Sequence, residues 1–420
     1  MKYAIVTFGC RVNQADSLHI EGELLERGAT AASVERADLV VVNTCSVTAS
    51  ADQGARQTIR RIARDNPHAQ IVVTGCYATS RSAEAAALPG VIRVVRIEQK
   101  EQLVSALESG TAQRFGDGDG ACGAAIVPGV AGRTAYTLRV QTGCNEGCSY
   151  CIIPSTRGAG RSRPIRDLLE ELERVHVAGF KEIALTGVHL GSYGLDLAAP
   201  SSLLELLQTL NRRTPEGLLL RISSLEPMNC TDEIVDLLAG SKRFAPHVHL
   251  PLQHASDRML RAMRRPYTLD RYRRLADDIR RRLPDAAIGS DVIVGFPGET
   301  SSDVELNLAY LESSPLTHLH VFPYSDRPGT AASVLPLKVG GAEIRERARL
   351  VRDVGRRLTQ QFHRAQIGSI RPALTIEDGS LAVTDNYLKV RIPEGRARNE
   401  WIRVRILTEG PTMTGEIVKD

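Results

Sequence analysis

The chain begins with short apolar runs that alternate with longer amphipathic stretches. The apolar runs are rich in Val and Ile and each ends in polar or glycine residues: YAIVTFG, DLVVVNT and QIVVTG. Helical patterns lie between them, near residues 15–27 and 50–65. Strands that alternate with helices are typical of a parallel sheet with crossover helices. We therefore predict an N-terminal α/β domain with a parallel sheet over residues 1–112.

Six further apolar runs continue this alternation between residues 137 and 325. They are TLRVQTG, EIALTGVHL, LLRISSLE, HVHLPLQ, IGSDVIVGF and HLHVFPY, and helical patterns separate them near 166–178, 201–211, 232–239, 268–282 and 301–312. Six strand–helix repeats favour an open, partial (βα)6 barrel over a closed barrel of eight repeats. We predict this barrel over residues 134–362, with its reactive groups at the carboxyl ends of the strands.

The segments that flank this barrel have different patterns. Residues 113–133 are rich in Gly and Ala and lack periodicity, which predicts a linker. Residues 342–366 predict one long, Arg-rich helix. Apolar and polar residues then alternate at period two in short runs, which predicts a small antiparallel β-barrel over residues 363–420.

Composition and charge narrow the class of protein less than the pattern does. With 420 residues, of which 42% are hydrophobic, the chain can bury more than one core. The net charge of +4 is too small to indicate a nucleic-acid partner by itself. No run of 18 apolar residues occurs, and MKYAIVTFGC predicts a strand and not a signal peptide. We expect a cytoplasmic protein that has no membrane segment, in which the eight cysteines serve metal binding or catalysis and not disulfides.

Three of the cysteines lie in one loop directly after a predicted strand. Cys144, Cys148 and Cys151 have the spacing CxxxCxxC in QTGCNEGCSYCIIP. Three thiolates can hold three irons of a 4Fe–4S cluster, which leaves the fourth iron open. S-adenosylmethionine (SAM) can chelate that iron, and one electron from the cluster can then release a 5′-deoxyadenosyl radical. A zinc site would need a fourth ligand close by, and a thioredoxin-type CxxC would not need Cys144.

Three other cysteines lie far apart in the sequence but share one position in the predicted sheet. Cys10, Cys45 and Cys76 each end one of the first three apolar runs. The carboxyl ends of parallel strands meet at one edge, where open α/β sheets bind ligands. We therefore predict a second 4Fe–4S cluster with one exchangeable iron. The alternative is that these cysteines are ordinary buried core residues; Cys122 and Cys230 have no comparable setting and receive no role.

These motifs together resemble the methylthiotransferases of the radical SAM superfamily. The resemblance is carried by GCRVNQADS, NTCSVT, TGCYA and GCNEGCSYCIIP, and it continues through LTGVHLGSYG, RISSLEP, HLPLQHASD, DVIVGFPGET and HVFPYSDRPGT. TDNYLKV resembles the TRAM domain, a small RNA-binding β-barrel. The branches of the family modify isopentenyladenosine in tRNA, threonylcarbamoyladenosine in tRNA, or an aspartate of a ribosomal protein. GCRVNQ, GVHLGSYG and HVFPYSDRPGTAA favour the threonylcarbamoyladenosine branch, whereas IIPSTRG resembles a blend of branches.

The resemblance implies an activity, its cofactors and its partners. The enzyme would add a methylthio group to carbon 2 of N6-threonylcarbamoyladenosine, next to the anticodon. It would use two 4Fe–4S clusters and SAM, and it would bind the anticodon stem-loop of tRNA and an electron donor such as flavodoxin or ferredoxin. One SAM would methylate a sulfur atom at the cluster of Cys10, Cys45 and Cys76, and the other would be cleaved at the second cluster.

The resemblance also implies roles for residues at the strand ends. Thr186 and Gly187 would meet the amino group of SAM, and Ser223, Ser224 and Glu226 would bind its ribose or carboxylate. Gln253 and Asp291 would line the substrate cavity. Gly295 and Pro297 would shape a loop near the adenine of SAM, and Tyr150 would pack near the cluster. Each position also has a purely structural alternative, as a strand end, a cap, a tight turn or a loop aromatic.

Two groups of basic and aromatic residues could contact RNA. The first group crowds two adjacent predicted helices: Arg261, Arg264, Arg265, Arg271, Arg273, Arg274, Arg280, Arg281 and Arg282. The second lies in the tail: Tyr387, Lys389, Arg391 and Trp401. Arginine suits phosphate and aromatic rings stack on bases, although ion-paired surface and core packing are the alternatives. The rival functions are another branch of the family, a non-catalytic iron–sulfur RNA-binding protein, and a radical SAM enzyme with an unrelated substrate.

Overall fold

The computed structural model describes residues 1–108, 126–129, 134–408 and 412–418. Its strands and helices confirm the α/β class and follow the order that the pattern predicts. Cys122 and most of the predicted linker, 113–133, lie outside the described residues. Within the described ranges, no helix is both long enough and apolar enough to cross a membrane.

The first part of the chain forms a five-stranded parallel sheet, here called the N-terminal sheet. Its strands are β1 (Lys2–Thr7), β2 (Thr30–Ala31), β3 (Leu39–Thr44), β4 (Gln70–Gly75) and β5 (Val91–Val95), in the order β2-β1-β3-β4-β5. Its helices are α1 (Arg11–Glu26), α2 (Ala49–Asp65), α3 (Cys76–Ser80), α4 (Ser82–Ala86) and α5 (Leu103–Glu108). Thr7 pairs with Asn43, and Asn43 pairs with Thr74. The carboxyl ends of β1, β3 and β4 are therefore neighbours at one edge.

The central part forms an arc of six parallel strands, here called the central barrel. They are β6 (Tyr136–Arg139), β9 (Glu182–Thr186), β10 (Leu219–Ile222), β11 (His247–His249), β12 (Ala287–Val294) and β13 (His318–Pro323). Two three-stranded sheets, β10-β9-β6 and β11-β12-β13, meet beside the parallel bridge from Leu220 to Phe244. The short strands β7 (Gln141–Thr142) and β8 (Arg161–Ser162) pair antiparallel. The arc is the open, six-stranded barrel that the pattern predicts.

Helices surround this arc, and the longer ones bury an apolar face. They are α6 (Ile153–Arg157), α7 (Ile165–Val177), α8 (Leu203–Arg213), α9 (Asp232–Gly240), α10 (Asp257–Ala262), α11 (Leu269–Arg282), α12 (Ser301–Ser313) and α13 (Gly341–Gln366). In α8, the buried residues Leu203, Leu206, Leu207 and Leu210 recur at helical spacing, and the Ser202 side chain accepts a hydrogen bond from the Glu205 N–H. Each such leucine contributes about 1.5–3 kcal/mol by burial.

The last part is a small closed barrel, here called the C-terminal barrel. Its strands are β14 (Ile370–Ile376), β15 (Leu381–Thr384), β16 (Lys389–Arg391), β17 (Trp401–Thr408) and β18 (Met413–Val418). The order β14-β15-β16-β18-β17 closes on itself. The prediction of an entirely antiparallel barrel is wrong at one place, because β16 and β18 run parallel. Five strands cannot alternate in direction around a closed ring, so one neighbouring pair has to be parallel.

Candidate active site

Cys10, Cys45 and Cys76, here called the N-terminal cysteines, converge at the edge of the N-terminal sheet. Cys10 is the N-cap of α1, Cys45 directly follows β3, and Cys76 is the first residue of α3. A side-chain carbon at Gly9 would lie 2.5 Å from Cys45 Sγ, so only glycine, here with φ +87°, lets these two segments approach so closely. The sheet topology therefore places three thiols together, and none of them is in a disulfide.

The surroundings of the N-terminal cysteines suit a positively charged iron centre. Burial, together with the neighbouring Cys76 and Cys10 thiols, raises the pKa of the Cys45 thiol to about 11. A bound metal centre removes such protons because its charge stabilises the thiolate. Three sulfur donors from three separate strands fit a 4Fe–4S cluster that has one iron without a protein ligand.

Cys144, Cys148 and Cys151, here called the central cysteines, lie in the loop after β7. The backbone N–H of Glu146 donates to Cys144 Sγ at 3.3 Å, and that of Ile153 donates to Cys151 Sγ at 3.5 Å. Burial raises the pKa of the Cys151 thiol to about 12. Hydrogen bonds to sulfur favour the thiolate once a cluster supplies positive charge. This donor set also fits three irons of a cluster.

Arg265 joins the central cysteines to Glu226. Its Nη1 donates to Cys148 Sγ at 3.2 Å, and its Nη2 forms an ion pair with the Glu226 carboxylate. The expectation that Arg265 belongs to a surface patch for RNA is wrong, because the side chain is buried. The sequence cannot show this, since the exposed Arg264 and the buried Arg265 are adjacent residues of the same type.

A cavity of about 580 Å³, here called the shared cavity, lies between all three parts of the chain. The start of α1 contributes Cys10 and Arg11, and the C-terminal barrel contributes Tyr387 and Leu388. The central barrel contributes five residues for which the sequence predicts a cofactor or substrate role: Thr186, Gly187, Ser223, Ser224 and Asp291. The first four lie at strand ends, but the expectation that Asp291 ends a strand is wrong, because it lies inside β12. One N-terminal cysteine and these strand ends therefore face the same space.

The other predicted cofactor residues do not line the shared cavity: Tyr150, Glu226, Gln253, Gly295 and Pro297. The backbone N–H of Gln253 donates to the Asp291 carbonyl at 2.8 Å, so this segment pairs with the second half of β12. The backbone N–H of Gly295 donates to Glu299 Oε2 at 2.6 Å. Tyr150 packs against an apolar cluster that includes Phe296. These contacts position the loops around the strand ends.

Four histidines that the sequence analysis does not single out form a row along the cavity, here called the histidine row: His247, His249, His318 and His320. Two come from β11 and two from β13, and β12 lies between them. Asp291 Oδ1 on β12 lies 2.9 Å from His249 Nε2 and 3.1 Å from His320 Nδ1. The spacing of two residues in HVH and HLH could have revealed them, because alternate residues of a strand share a face.

The charges along the histidine row differ from one end to the other. Burial opposes ionisation of Asp291, but hydrogen bonds from His249 and His320 hold the pKa of its carboxyl well below the usual range. Burial, with the neighbouring rings, lowers the pKa of His318 to about 4. Burial and the nearby Arg221 lower the pKa of His247 well below its usual value. His247 and His318 are therefore neutral at pH 7.

A buried charge cluster connects the two sets of cysteines. Asp16 of α1 lies 2.8 Å from Lys100 Nζ, 2.5 Å from Arg139 Nη1 and 3.3 Å from Arg157 Nη2. Arg157 ends α6, which follows the loop of the central cysteines, and its guanidinium also bonds to Asn13. Burial opposes the charge on Asp16, but the three cations hold the pKa of this carboxyl well below its usual range.

Several residues with a predicted RNA role have partners within the chain. Arg274 pairs with Asp270 at 2.6 Å, and Arg282 pairs with Asp236 at 2.7 Å. The Trp401 indole N–H donates to the Gly217 carbonyl at 2.7 Å. These contacts favour the structural alternative for the α11 arginines, and they show that Trp401 holds the C-terminal barrel against the central barrel.

Comparison with known proteins identifies two family regions in the chain. Residues 2–96 match the model of "Uncharacterized protein family UPF0004", and residues 138–311 match that of the "Radical SAM superfamily". The chain is 34% identical to "Threonylcarbamoyladenosine tRNA methylthiotransferase MtaB" of Aquifex aeolicus, over 97% of this chain and 100% of that protein. It is 35% identical to "Ribosomal protein uS12 methylthiotransferase RimO" of Roseiflexus castenholzii, over 88% of this chain and 83% of that protein.

A solved structure shares the fold. The radical S-adenosylmethionine methyltransferase TsrM from Kitasatospora setae, solved with cobalamin and a [4Fe-4S] cluster, has a TM-score of 0.58 and 17% identity. The match covers 79% of this chain and 77% of that one. At this identity the likeness concerns the fold alone, and it agrees with the open central barrel.

Proposed function

Because the chain belongs to the radical SAM methylthiotransferase family, we propose that it adds a methylthio group to carbon 2 of N6-threonylcarbamoyladenosine in tRNA, next to the anticodon. One observation carries this proposal: Cys10, the strand ends of the central barrel and the C-terminal barrel all face the shared cavity. A reaction that brings together a sulfur donor, a radical source and an RNA base needs such a common space. The name of the Aquifex relative supports this base as the substrate.

We assign one 4Fe–4S cluster to the N-terminal cysteines and one to the central cysteines. When bound, the clusters and SAM would supply the radical and the methylthio group. The protein's part is to hold these groups. N–H bonds to Cys144 and Cys151 and the guanidinium of Arg265 at Cys148 favour three thiolates. Glu226 fixes Arg265 in place through their ion pair.

We assign the binding of SAM to the strand ends that line the shared cavity. The Ser223 hydroxyl donates to Thr186 Oγ1 at 3.3 Å, and both side chains remain near enough to the cavity to bond to a polar ligand. A side-chain carbon at Gly187 would lie 2.6 Å from Leu190, so only glycine fits where the backbone passes between Leu190 and the cavity. Ser224 extends this polar wall, while Tyr150, Glu226, Gln253, Gly295 and Pro297 support it.

The C-terminal barrel is the proposed contact with the anticodon stem-loop. It brings Tyr387 and Leu388 to the cavity, and it carries Lys389 and Arg391 exposed on the adjoining strand β16. Exposed cations next to an aromatic ring suit an RNA backbone with an unstacked base. An electron donor of the flavodoxin or ferredoxin class completes the proposed set of partners.

Deletion of the gene in its host tests the reaction and the substrate together. Total tRNA is digested to nucleosides, and mass spectrometry follows methylthio-threonylcarbamoyladenosine and its precursor. We expect the methylthio form to vanish and the precursor to accumulate. If methylthio-isopentenyladenosine is lost instead, the methylthiotransferase reaction stands and threonylcarbamoyladenosine is refuted as the substrate. If all tRNA methylthio nucleosides persist in a host without a paralogue, tRNA is not the substrate and the ribosomal-protein branch is tested next.

A further inference from the structure

Two arginines line the shared cavity, and they differ in how their charge is neutralised. Arg157 is buried and bonds to Asp16. Arg11 is half-buried, and among the described residues no carboxylate pairs with its guanidinium. Its Nη2 instead donates to the Tyr387 hydroxyl at 2.9 Å, across the gap between α1 and the C-terminal barrel. Arg11 therefore brings an unneutralised positive charge to the cavity wall.

Tyr387 is held firmly in the position from which it contacts Arg11. Its ring lies 4.6 Å from the Arg221 guanidinium and 5.0 Å from the His247 ring. Its backbone has φ +73°, a conformation that costs about 1–3 kcal/mol and persists only where neighbours impose it. The preceding Asn386 supplies that restraint, because its Nδ2 bonds to Gln366 Oε1 and to the Asp285 carbonyl, each at 2.9 Å.

The histidine row extends from this point toward Asp291. The rings of His247 and His318 lie 6.0 Å apart, and those of His249 and His320 lie 5.2 Å apart. Because His247 and His318 are neutral, the wall has a cation at the Arg11 end and an anion at the Asp291 end. Flat, neutral rings suit the face of a purine, and a guanidinium suits a carboxylate because two N–H groups can donate side by side.

The two candidate modified adenosines differ in the charge of the group on N6. N6-threonylcarbamoyladenosine carries the free α-carboxylate of its threonyl group, whereas isopentenyladenosine carries an uncharged hydrocarbon. We propose that Arg11, positioned by Tyr387, binds the threonyl carboxylate of the modified adenosine and thereby selects the anionic base. This inference rests on the proposed function and adds to it the residue that determines specificity. An apolar side chain at this place would desolvate Arg11 without giving it an anionic partner, which disfavours the neutral base.

The test compares two synthetic anticodon stem-loops that differ only in this charge. One carries threonylcarbamoyladenosine and the other carries its methyl ester. Binding to the reconstituted holoenzyme is measured by fluorescence anisotropy, and methylthiolation is measured separately. We expect the wild-type enzyme to bind the acid about 10- to 100-fold more tightly than the ester. Arg11→Gln should abolish this preference and leave ester binding within about twofold of the wild-type value. Arg11→Lys should retain part of the preference, because lysine keeps the positive charge but lacks the two parallel N–H donors of the guanidinium.

Two further variants separate the role of Arg11 from general effects on RNA binding or folding. Tyr387→Phe removes only the hydroxyl that holds Arg11, so it should reduce the preference for the acid by a smaller factor. Lys389→Gln is the matched control, since it removes an exposed cation of the same barrel and should weaken both RNAs equally. Iron and sulfide contents show whether Arg11→Gln has disturbed the neighbouring Cys10.

The outcomes that overturn the inference differ from those that overturn the proposed function. If the wild-type enzyme binds acid and ester equally, no side chain recognises the carboxylate. If Arg11→Gln weakens both RNAs by the same factor, Arg11 binds RNA phosphate and not the base. If the wild-type enzyme methylthiolates an isopentenyladenosine stem-loop and leaves the threonylcarbamoyladenosine stem-loop unchanged, the proposed substrate itself is wrong.

Discussion

The N-terminal and central cysteines offer the same three sulfur atoms, but they are brought together in different ways. The central cysteines lie in one loop, where backbone N–H groups of that same loop bond to two of the sulfurs. The N-terminal cysteines come from three segments and meet only because β1, β3 and β4 are adjacent and parallel. One site therefore depends on local chain geometry, and the other depends on the register of a whole sheet.

The two sites are also mechanically connected. Asp16 belongs to the helix that begins after Cys10, and Arg157 belongs to the helix that follows Cys151. Their buried contact, at 3.3 Å, ties the N-terminal sheet to the loop of the central cysteines. A disturbance of this contact should affect both sites, whereas a disturbance of a single ligand should affect one.

Replacement of one ligand from each set should give the largest effects and should separate the two sites. We expect Cys148→Ala to abolish both methylthio product and reductive SAM cleavage. Cys45→Ala should abolish the product but retain release of 5′-deoxyadenosine, because the central site stays intact. Each variant should lose about half of the bound iron. Both the iron content and the release of 5′-deoxyadenosine are measured after anaerobic reconstitution. Cys230→Ala, a buried cysteine outside both sets, is the control and should keep all its iron; equal loss of SAM cleavage in both variants would contradict two independent sites.

Asp16→Asn should produce the next largest effect, and it should act on both sites together. The variant leaves the buried cations Lys100 and Arg157 without their carboxylate, while the partly exposed Arg139 keeps its pair with Glu101. Loss of one partner from a buried ion pair costs about 3–5 kcal/mol in the free energy of unfolding. Chemical denaturation of the apoprotein measures this cost. We also expect Asp16→Asn to bind less iron at both sets of cysteines. A stability equal to that of the wild type would refute the role of Asp16 in connecting the two sites.

The pH dependence of stability tests whether the ionised Asp16 carboxylate stabilises the folded protein. Its pKa is lower in the folded protein than in the unfolded chain, so the unfolded chain takes up this proton first as the pH falls. The stabilisation is fully present above about pH 5 and declines as the pH falls through the usual aspartate range, near 3.9, toward the lowered value. The gap in unfolding free energy between wild type and Asp16→Asn should therefore narrow on acidification. A gap that stays constant from pH 7 to pH 3 would exclude this carboxylate as the source.

Two glycine substitutions, one beside each set of cysteines, test the same difference between the two sites, with a smaller expected effect on stability. Gly75, directly before Cys76, has φ +97°, and a side-chain carbon there would lie 2.2 Å from the Thr44 carbonyl oxygen. Gly147, between two central cysteines, has no atom within 4 Å of the corresponding position. Gly75→Ala should cost about 2–4 kcal/mol and lower iron binding by the N-terminal cysteines. Gly147→Ala should change stability by less than about 0.5 kcal/mol; thermal denaturation of both variants measures the difference, and equal melting temperatures would contradict it.

Much of the fold could be predicted because the pattern of apolar residues repeats. The predicted helices near 50–65 and 268–282 correspond to α2 and α11. The convergence of Cys10, Cys45 and Cys76 could be predicted from their shared position at strand ends, which is a property of the sequence pattern. Arg265, in contrast, is indistinguishable in sequence from its exposed neighbours, and its burial beside Cys148 depends on where the end of α10 packs.

The sequence by itself determined the order of strands and helices, the loop of the central cysteines and the family to which the chain belongs, because these follow from local spacing and composition. Only the tertiary structure decided which distant side chains meet: Asp16 with Arg157, Arg11 with Tyr387, and Asp291 between His249 and His320. The physical reason is that hydrogen bonds and ion pairs act over a few ångströms, and such separations between distant segments are set by strand register and packing, which no short stretch of sequence contains.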